Sequence, residues 1–327
     1  MKICVYGAGA VGGHMAARLI AKGDAEVSVV ARGAHLEAIR GSGLWLESGA
    51  ERLGGRPVAA TDDPASLPPQ DIVFVTLKAN ATPQAAGALD RLAGPNGILV
   101  FYANGIPWWW KAGTATPGPL PLVDPGAALW NAVGPDRVLG GVIYSGNELK
   151  GPGVVQHRGS NKWPVGEPSG VLSERVGRVS RLLTDAGMNA AAITDIRHEV
   201  LRKLSRNICG NPISALTRLP TWTNHAETGI VAVARAIMVE MLDVALAHGF
   251  DLRDEIDPDE LLKPEGRVSG RSSMLQDAEL GRPLEAEAIL GQIQAFGDDK
   301  GIPTPAIDTT VALLRCLDLS IRETRGG

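Results

Sequence analysis

Apolar positions in the first half of the chain come in short runs, while those in the second half recur at helical spacing. Lys2–Tyr6 (KICVY), Glu26–Ala31 (EVSVVA), Asp71–Leu77 (DIVFVTL) and Ile98–Tyr102 (ILVFY) are continuous or β-branched runs of strand length. Runs of this kind suit strands buried on both faces of a parallel sheet. Between them, Val11–Ala21 and His35–Arg40 have helical periods, and Leu44–Glu47 (LWLE) alternates like a half-exposed strand. Strand and helix in alternation predict an α/β fold with a doubly wound parallel sheet.

The middle of the chain reads differently. Val138–Val165 has Gly-Pro breaks and no helical period, which predicts a hairpin or meander extending the same sheet. The Pro- and Gly-rich stretch Trp108–Gly126 is expected to be a long surface connection. A helix is expected over Ser173–Ala186, with Ser173 as N-cap. From Asp195 onward the pattern is helical throughout. Ile196, Val200, Leu201, Leu204 and Ile208 lie on one helix, Asp195–Gly210. Further helices are expected over Ile230–Ala247, Ser269–Leu280, Leu284–Phe296 and Pro305–Ile321. The change of texture near Thr194 predicts two domains: 1–194, an α/β domain, and 195–327, all helical.

Composition narrows the function. The chain has 327 residues, 44% hydrophobic and 21% charged, enough for two cores at about 150 residues per domain and incompatible with a mainly disordered chain. A formal net charge of −4 gives no basic excess for a nucleic-acid partner. Cys4, Cys209 and Cys316 are scattered, with neither a disulfide framework nor a zinc pair. Without a signal-peptide pattern or a long apolar run, a cytoplasmic protein with no membrane partner is expected. The six histidines, His14, His35, His157, His198, His225 and His248, show no paired-ligand spacing, so no metal is expected and a metal-dependent hydrolase is disfavoured.

Gly7-Ala8-Gly9-Ala10-Val11-Gly12 fits GxGxxG directly after the first strand and at the opening of a helix, the context a dinucleotide site requires. Gly7 permits the tight turn, Gly9 admits a pyrophosphate close to the backbone, and Gly12 lets helix and strand approach. Free amides at the helix start then face the phosphates. A turn that merely needs positive φ is the plainer alternative. After the second strand stands Arg32, not an acidic residue. A guanidinium suits a 2′-phosphate, so NADP(H) is the expected cofactor. An exposed arginine without that role is the alternative.

Lys203, Asn207 and Asn211 are spaced i, i+4, i+8 and share a helix face. Asparagine is a poor helix former. The face is either a functional one or a solvated one whose asparagines cap a helix end. Ser272-Ser273-Met274-Leu275-Gln276-Asp277 offers a cap at either serine, and Glu285 opens the next helix, where a carboxylate also suits the helix dipole. Lys78 and Asn104-Gly105 follow expected strands at their carboxyl ends, where ligands of parallel sheets bind. Asn-Gly is also an ordinary turn dipeptide.

KICVYGAGAVGG, VTLKA, the Asn-Gly of YANGI, RHEVLRKLSRNICGNPISAL, SSMLQD and LEAEAILG together resemble the ketopantoate reductase (2-dehydropantoate 2-reductase) family, nearly end to end. The resemblance implies an N-terminal Rossmann-type domain followed by a helical domain, with substrate in the cleft between them and hinge closure around it. It implies NADPH-dependent reduction of a 2-oxo acid, with Lys203 as proton donor and Glu285 as its acidic partner. Asn207, Asn211 and Ser273 fall at substrate-contacting positions. Lys78 and Asn104 fall near the nicotinamide end of the cofactor, and Arg32 at the 2′-phosphate.

The sequence also departs from the family pattern. Leu290 stands where the family's glutamate segment usually has asparagine, and Thr221 stands at a position where an asparagine often contacts substrate. Trp108, Trp109 and Trp110 follow Asn104, as lining of a substrate cleft or as packing. These departures leave open a paralogue acting on another 2-oxo or hydroxy acid. A non-catalytic cofactor sensor is disfavoured by the presence of both Lys203 and Glu285. The apolar helices of the second domain suit either a core or a homodimer interface.

Overall fold

The computed structural model describes residues 1–224, 226–263 and 271–326. His225 and Ser269 therefore lie outside the described residues. The chain separates into two compact units. One comprises Met1–Ala103 with Trp108–Arg197, and the other Asn104–Pro107 with His198–Gly327.

The first unit is an α/β fold around an eight-stranded sheet. Its twelve strands are β1 (Lys2–Tyr6), β2 (Glu26–Val30), β3 (Leu44–Ser48), β4 (Glu51–Gly55), β5 (Ala59–Thr61), β6 (Ile72–Val75), β7 (Ile98–Tyr102), β8 (Val138–Gly141), β9 (Tyr144–Gly151), β10 (Val154–Lys162), β11 (Val165–Gly166) and β12 (Ala192–Ile193). The main sheet runs β12-β11-β8-β7-β6-β1-β2-β5. From β5 to β8 every neighbour is parallel; β11 is antiparallel to β8. The strands with unbroken apolar runs, β6 and β7, are buried along their whole length at the centre. The order changes direction at β1, which places the chain's glycine turn at the switch point of the sheet.

Helices α1 (Ala10–Lys22), α2 (Gly33–Ser42), α3 (Ala86–Ala93), α4 (Ala128–Ala132) and α5 (Glu174–Asp185) complete this unit. The Ser173 hydroxyl caps α5 by accepting the Val176 N–H, as the sequence predicts.

Two expectations for the middle of the chain are corrected. Segment 138–165 does not simply extend the main sheet. Only β8 and β11 join it, while hairpin β9–β10 pairs with β3 and β4 in a separate four-stranded sheet, order β4-β3-β10-β9. The β10–β3 pairing is parallel, Val154 opposite Trp45. The physical reason is the second face of α1. His14, Met15, Ala16, Ala17 and Leu19 are all buried, and Leu44, Leu46 and Val155 of the second sheet are buried in the same core.

Nor is Trp108–Gly126 a surface connection. Trp108, Trp109, Trp110, Ala112, Leu120 and Val123 are buried. Burying three indoles outweighs the local turn preference of the prolines and glycines. Trp108 meets Phe101 and Trp130 edge to face. Trp109 lies over Gly140, where an added Cβ would collide with the ring and stand 2.9 Å from Ile196. Arg197 donates to the carbonyls of Trp110 and Ala112. The tryptophans are thus packed inside the first unit, against Phe101, Trp130 and Gly140.

The second unit is helical: α6 (Ile196–Thr217), which begins at the end of the first unit, then α7 (Thr221–Asn224), α8 (Thr228–Ala247), α9 (Pro258–Leu261), α10 (Ser273–Glu279), α11 (Gln292–Lys300) and α12 (Pro305–Gly326). A π-helical turn, Glu287–Gly291, runs into α11. Ile237, Met238, Met241 and Leu242 of α8 and Ile307, Val311 and Leu314 of α12 are buried at helical spacing. Helix α6 extends past the expected end at Gly210, with Pro212 inside it. Asn207 and Asn211 are therefore mid-helix and do not cap its end. Ser272, not Ser273, caps α10 by accepting the Leu275 N–H at 3.1 Å.

The Gly140 contact is testable. Gly140→Ala should destabilise the protein by about 1–3 kcal/mol, the usual range for overpacking a filled core, seen as a lower urea midpoint. An unchanged midpoint would show that Trp109 yields without cost.

Candidate active site

The glycine turn lies between β1 and α1. Gly7 has φ +98°, and an added Cβ would stand 2.9 Å from Leu77. At Gly12 a Cβ would collide with the Thr76 hydroxyl and stand 3.0 Å from Val5. Above Gly9, by contrast, only the Gly7 carbonyl comes within 4.0 Å. Two glycines are thus required by the fold, and the third leaves open space beside the backbone. Gly7 and Ala8 both donate N–H to the Val30 carbonyl at 3.0 Å, which pins the turn to β2. Thr76, which sequence patterning did not single out, donates its hydroxyl to the Gly7 carbonyl at 2.9 Å.

Helix α1 has no side-chain cap, and its first backbone bond runs from Gly13 to Gly9. The amides of Ala10, Val11 and Gly12 precede that bond. This is the arrangement of a helix N-terminus that binds a phosphate, and the room above Gly9 fits a pyrophosphate. Arg32 is exposed and immediately precedes α2. Lys78 follows β6 by three residues. Its carbonyl accepts the Thr82 hydroxyl at 2.9 Å, and its ammonium nitrogen is shut off from solvent.

Asn104 belongs with the second unit, although it follows β7 in sequence. The cause is the next residue. Gly105 has φ +79°, and a Cβ there would collide with the Ala288 carbonyl and stand 2.9 Å from Ala288 Cβ. The Ile106 N–H donates to the same carbonyl at 2.7 Å. This close approach of two backbones fixes the Asn104 loop on the π turn. The Glu287 carboxylate anchors that turn to α12 through two bonds of 2.7 Å to Arg315. Its sequence signal was the Asn-Gly pair, which also reads as a plain turn.

Lys203 on α6 donates from Nζ to Asn104 Oδ1 at 2.9 Å. Burial pushes the Lys203 ammonium down to about 8, and the charge of nearby Glu285 opposes the fall. Glu285 is itself 7% exposed. The structure thus brings Lys203, Asn104 and Glu285 together. Asn207 and Asn211, both half-buried, continue the Lys203 face of α6. Ser273 is exposed at the first residue of α10. Leu290 is fully buried, and the Thr221 and Ser214 hydroxyls lie 3.0 Å apart. Among the described residues no group of His, Cys, Asp and Glu is arranged to hold a metal, and no helix is long and apolar enough to cross a membrane.

A parallel sheet with a glycine turn at its switch point, followed by a helical unit, defines a Rossmann-type architecture. The family model described as Ketopantoate reductase PanE/ApbA fits residues 3–170, and its C-terminal counterpart fits residues 195–318. The chain is 41% identical to a 2-dehydropantoate 2-reductase of Mesorhizobium japonicum over 97% of its length and 98% of that relative. A solved structure from Ralstonia solanacearum is 33% identical and superposes with a TM-score of 0.90 over 98% of both chains. A 2-dehydropantoate 2-reductase from Methylococcus capsulatus superposes with a TM-score of 0.81 at 28% identity, again over 98% of both chains. The chain belongs to the ketopantoate reductase family, nicotinamide-dependent oxidoreductases acting on oxo acids.

The opposing influences on Lys203 can be separated. In Glu285→Gln the ammonium should release its proton at a lower pH than the value of about 8 in the parent protein, because the charge that favours the ammonium is gone. NMR titration of ¹³C-methylated lysines reads both values. An unchanged titration would show that the Glu285 charge does not reach Lys203.

Proposed function

We propose that the protein reduces 2-dehydropantoate to pantoate with NADPH, Lys203 being the proton donor. The observation that supports this reading most is the enclosed Lys203 ammonium, 2.9 Å from Asn104 Oδ1 and set at about pH 8. When bound, the nicotinamide cofactor supplies the hydride. As a ketone carbon gains hydride, its oxygen gains negative charge. An ammonium beside that oxygen stabilises the charge and delivers the proton. A group titrating near 8 is mostly protonated at neutral pH and still acidic enough to give its proton up.

Each neighbour has a distinct part in this scheme. Glu285 keeps Lys203 charged against the cost of burial. Asn104 accepts from Lys203 through Oδ1, which aims the ammonium and leaves the amide NH₂ free to donate. Asn207, Asn211 and the Ser273 hydroxyl offer hydrogen bonds to the carboxylate and hydroxyl of the substrate without adding negative charge. The residues Gly7 to Gly12 hold the pyrophosphate, Arg32 the 2′-phosphate, and Lys78 lies toward the nicotinamide end. In this scheme the protein works in the cytoplasm.

A second reading keeps the chemistry and changes the substrate. Leu290, fully buried where the family usually has asparagine, and Thr221, engaged with Ser214, alter the polar groups available to the oxo acid. NADPH oxidation against ketopantoate and a panel of branched and hydroxylated 2-oxo acids separates the two. The first reading expects ketopantoate to lead with kcat/KM toward about 10⁴ M⁻¹s⁻¹ or more. The second expects another member of the panel to lead, with Lys203 still required.

Lys203→Ala should lower kcat by about 10² or more, the scale of a positioned acid, and near-normal turnover would remove the assigned role. In the parent enzyme, reduction should weaken as pH rises through about 8, because only the ammonium form donates. Arg32→Ala should raise KM for NADPH much more than KM for NADH. Equal changes would take Arg32 out of the 2′-phosphate site.

A further inference from the structure

His35 lies on α2, outside the glycine turn, and touches it through one ring nitrogen. Nε2 is 2.7 Å from the Ala8 carbonyl oxygen, and Nδ1 is 3.0 Å from the Gly153 N–H. A backbone N–H only donates and a carbonyl only accepts. The two partners therefore fix the ring as neutral, with Nδ1 bare and Nε2 protonated. Burial acts in the same direction, holding the imidazole below its ordinary value.

Both partners are constrained in turn. Gly153 sits in the turn between β9 and β10 with φ +76°, and a Cβ there would stand 3.2 Å from Ala38 Cβ and from the Gly43 carbonyl oxygen. Its own carbonyl accepts the Trp45 N–H at 2.9 Å. Ala8 is flanked by Gly7 and Gly9, and the Gly9 N–H donates to the Gly7 carbonyl at 2.6 Å. The Ala8 carbonyl and the Gly9 N–H belong to one peptide plane. A single imidazole thus ties the second sheet to the peptide at the centre of the glycine turn.

We infer that His35 is a positioning residue for dinucleotide binding: by holding the Ala8 carbonyl through Nε2–H, it fixes the Ala8–Gly9 peptide in the orientation that leads into the Ala10, Val11 and Gly12 amides. The inference rests on the reading of the glycine turn as the cofactor site. A carbonyl free to swing toward a phosphate would repel it, while the amides attract it. His35 occupies that carbonyl and anchors it to the turn of the β9–β10 hairpin. It need not touch the cofactor, and no proton moves.

Calorimetric titration with NADPH, followed by steady-state kinetics, tests this on the full chain. His35→Leu should weaken NADPH binding about fivefold to tenfold, the weight of one hydrogen bond. It should leave kcat at saturating NADPH and KM for the oxo acid near their parent values. His35→Gln, which can return an N–H near the Nε2 position, should recover most of the affinity. Parent-like affinity in His35→Leu overturns the inference, and so does a general loss of kcat and both KM values that glutamine does not restore. If the leucine variant fails to fold, ¹⁵N NMR of the parent imidazole decides. A fixed Nε2–H form that responds to NADPH supports the role, and an Nδ1–H form overturns it. A parent protein that binds neither NADPH nor NADH defeats the cofactor reading instead, which these titrations distinguish from a failure of His35 alone.

Discussion

Contact between two stretches of backbone holds the chemistry of the second unit together. Where a side chain at position 105 would be, the Ala288 carbonyl stands, and the next amide in the chain donates to that same oxygen at 2.7 Å. Asn104 is the residue just before this contact, so its carboxamide is delivered to Lys203 by main-chain geometry and not by the reach of a flexible side chain. The other side of the contact belongs to the π turn that begins two residues after Glu285. One close approach therefore governs both the hydrogen-bond acceptor of the lysine and the segment that carries its counter-charge. Helices with a π turn are widened locally, and such turns are frequent at functional sites. Here the turn is also clamped from outside by the paired Glu287 and Arg315.

The central strands were legible because burial on both faces leaves a local trace, an unbroken apolar run such as Ile98–Tyr102. The second sheet left none. Its parallel pairing of Trp45–Ser48 with Val154–His157 depends on both segments covering α1, and neither segment's alternation names its partner. Trp108–Trp110 shows the opposite failure. Prolines and glycines announce a turn, but tertiary burial of the indoles decides where the segment goes. Helix α6 likewise runs past its expected end at Gly210, with Pro212 inside it. A proline removes one helix hydrogen bond, yet Ile213 and Ala215 beyond it are buried and carry α6 onward.

The candidate site divides along similar lines. Helical period alone put Lys203, Asn207 and Asn211 on one face, since that is a local property of α6. The bond from Lys203 to Asn104 spans 99 residues and has no counterpart in spacing; only the family resemblance placed the two near one reaction. Three required glycines, Gly7, Gly12 and Gly105, were written plainly, but the reasons differ. The first two serve the turn and the packing of α1, and the third serves a contact with a segment far along the chain. His35 was visible only as one dispersed histidine, because both of its partners are backbone groups.

The second sheet also sets an order of events during synthesis. Trp45 and Val154, and likewise Ser48 and His157, pair across 109 positions. Long-range pairing of this kind is slow to close and leaves its partners uncovered until then. While residues 144–162 are still unmade, β3 has an open edge and the Gly13 face of α1 lacks Val155. The glycine turn occupies the first dozen residues of the chain, yet its far wall is made from the middle. A nascent chain stalled before the hairpin would hold a finished glycine-turn sequence on an unfinished surface.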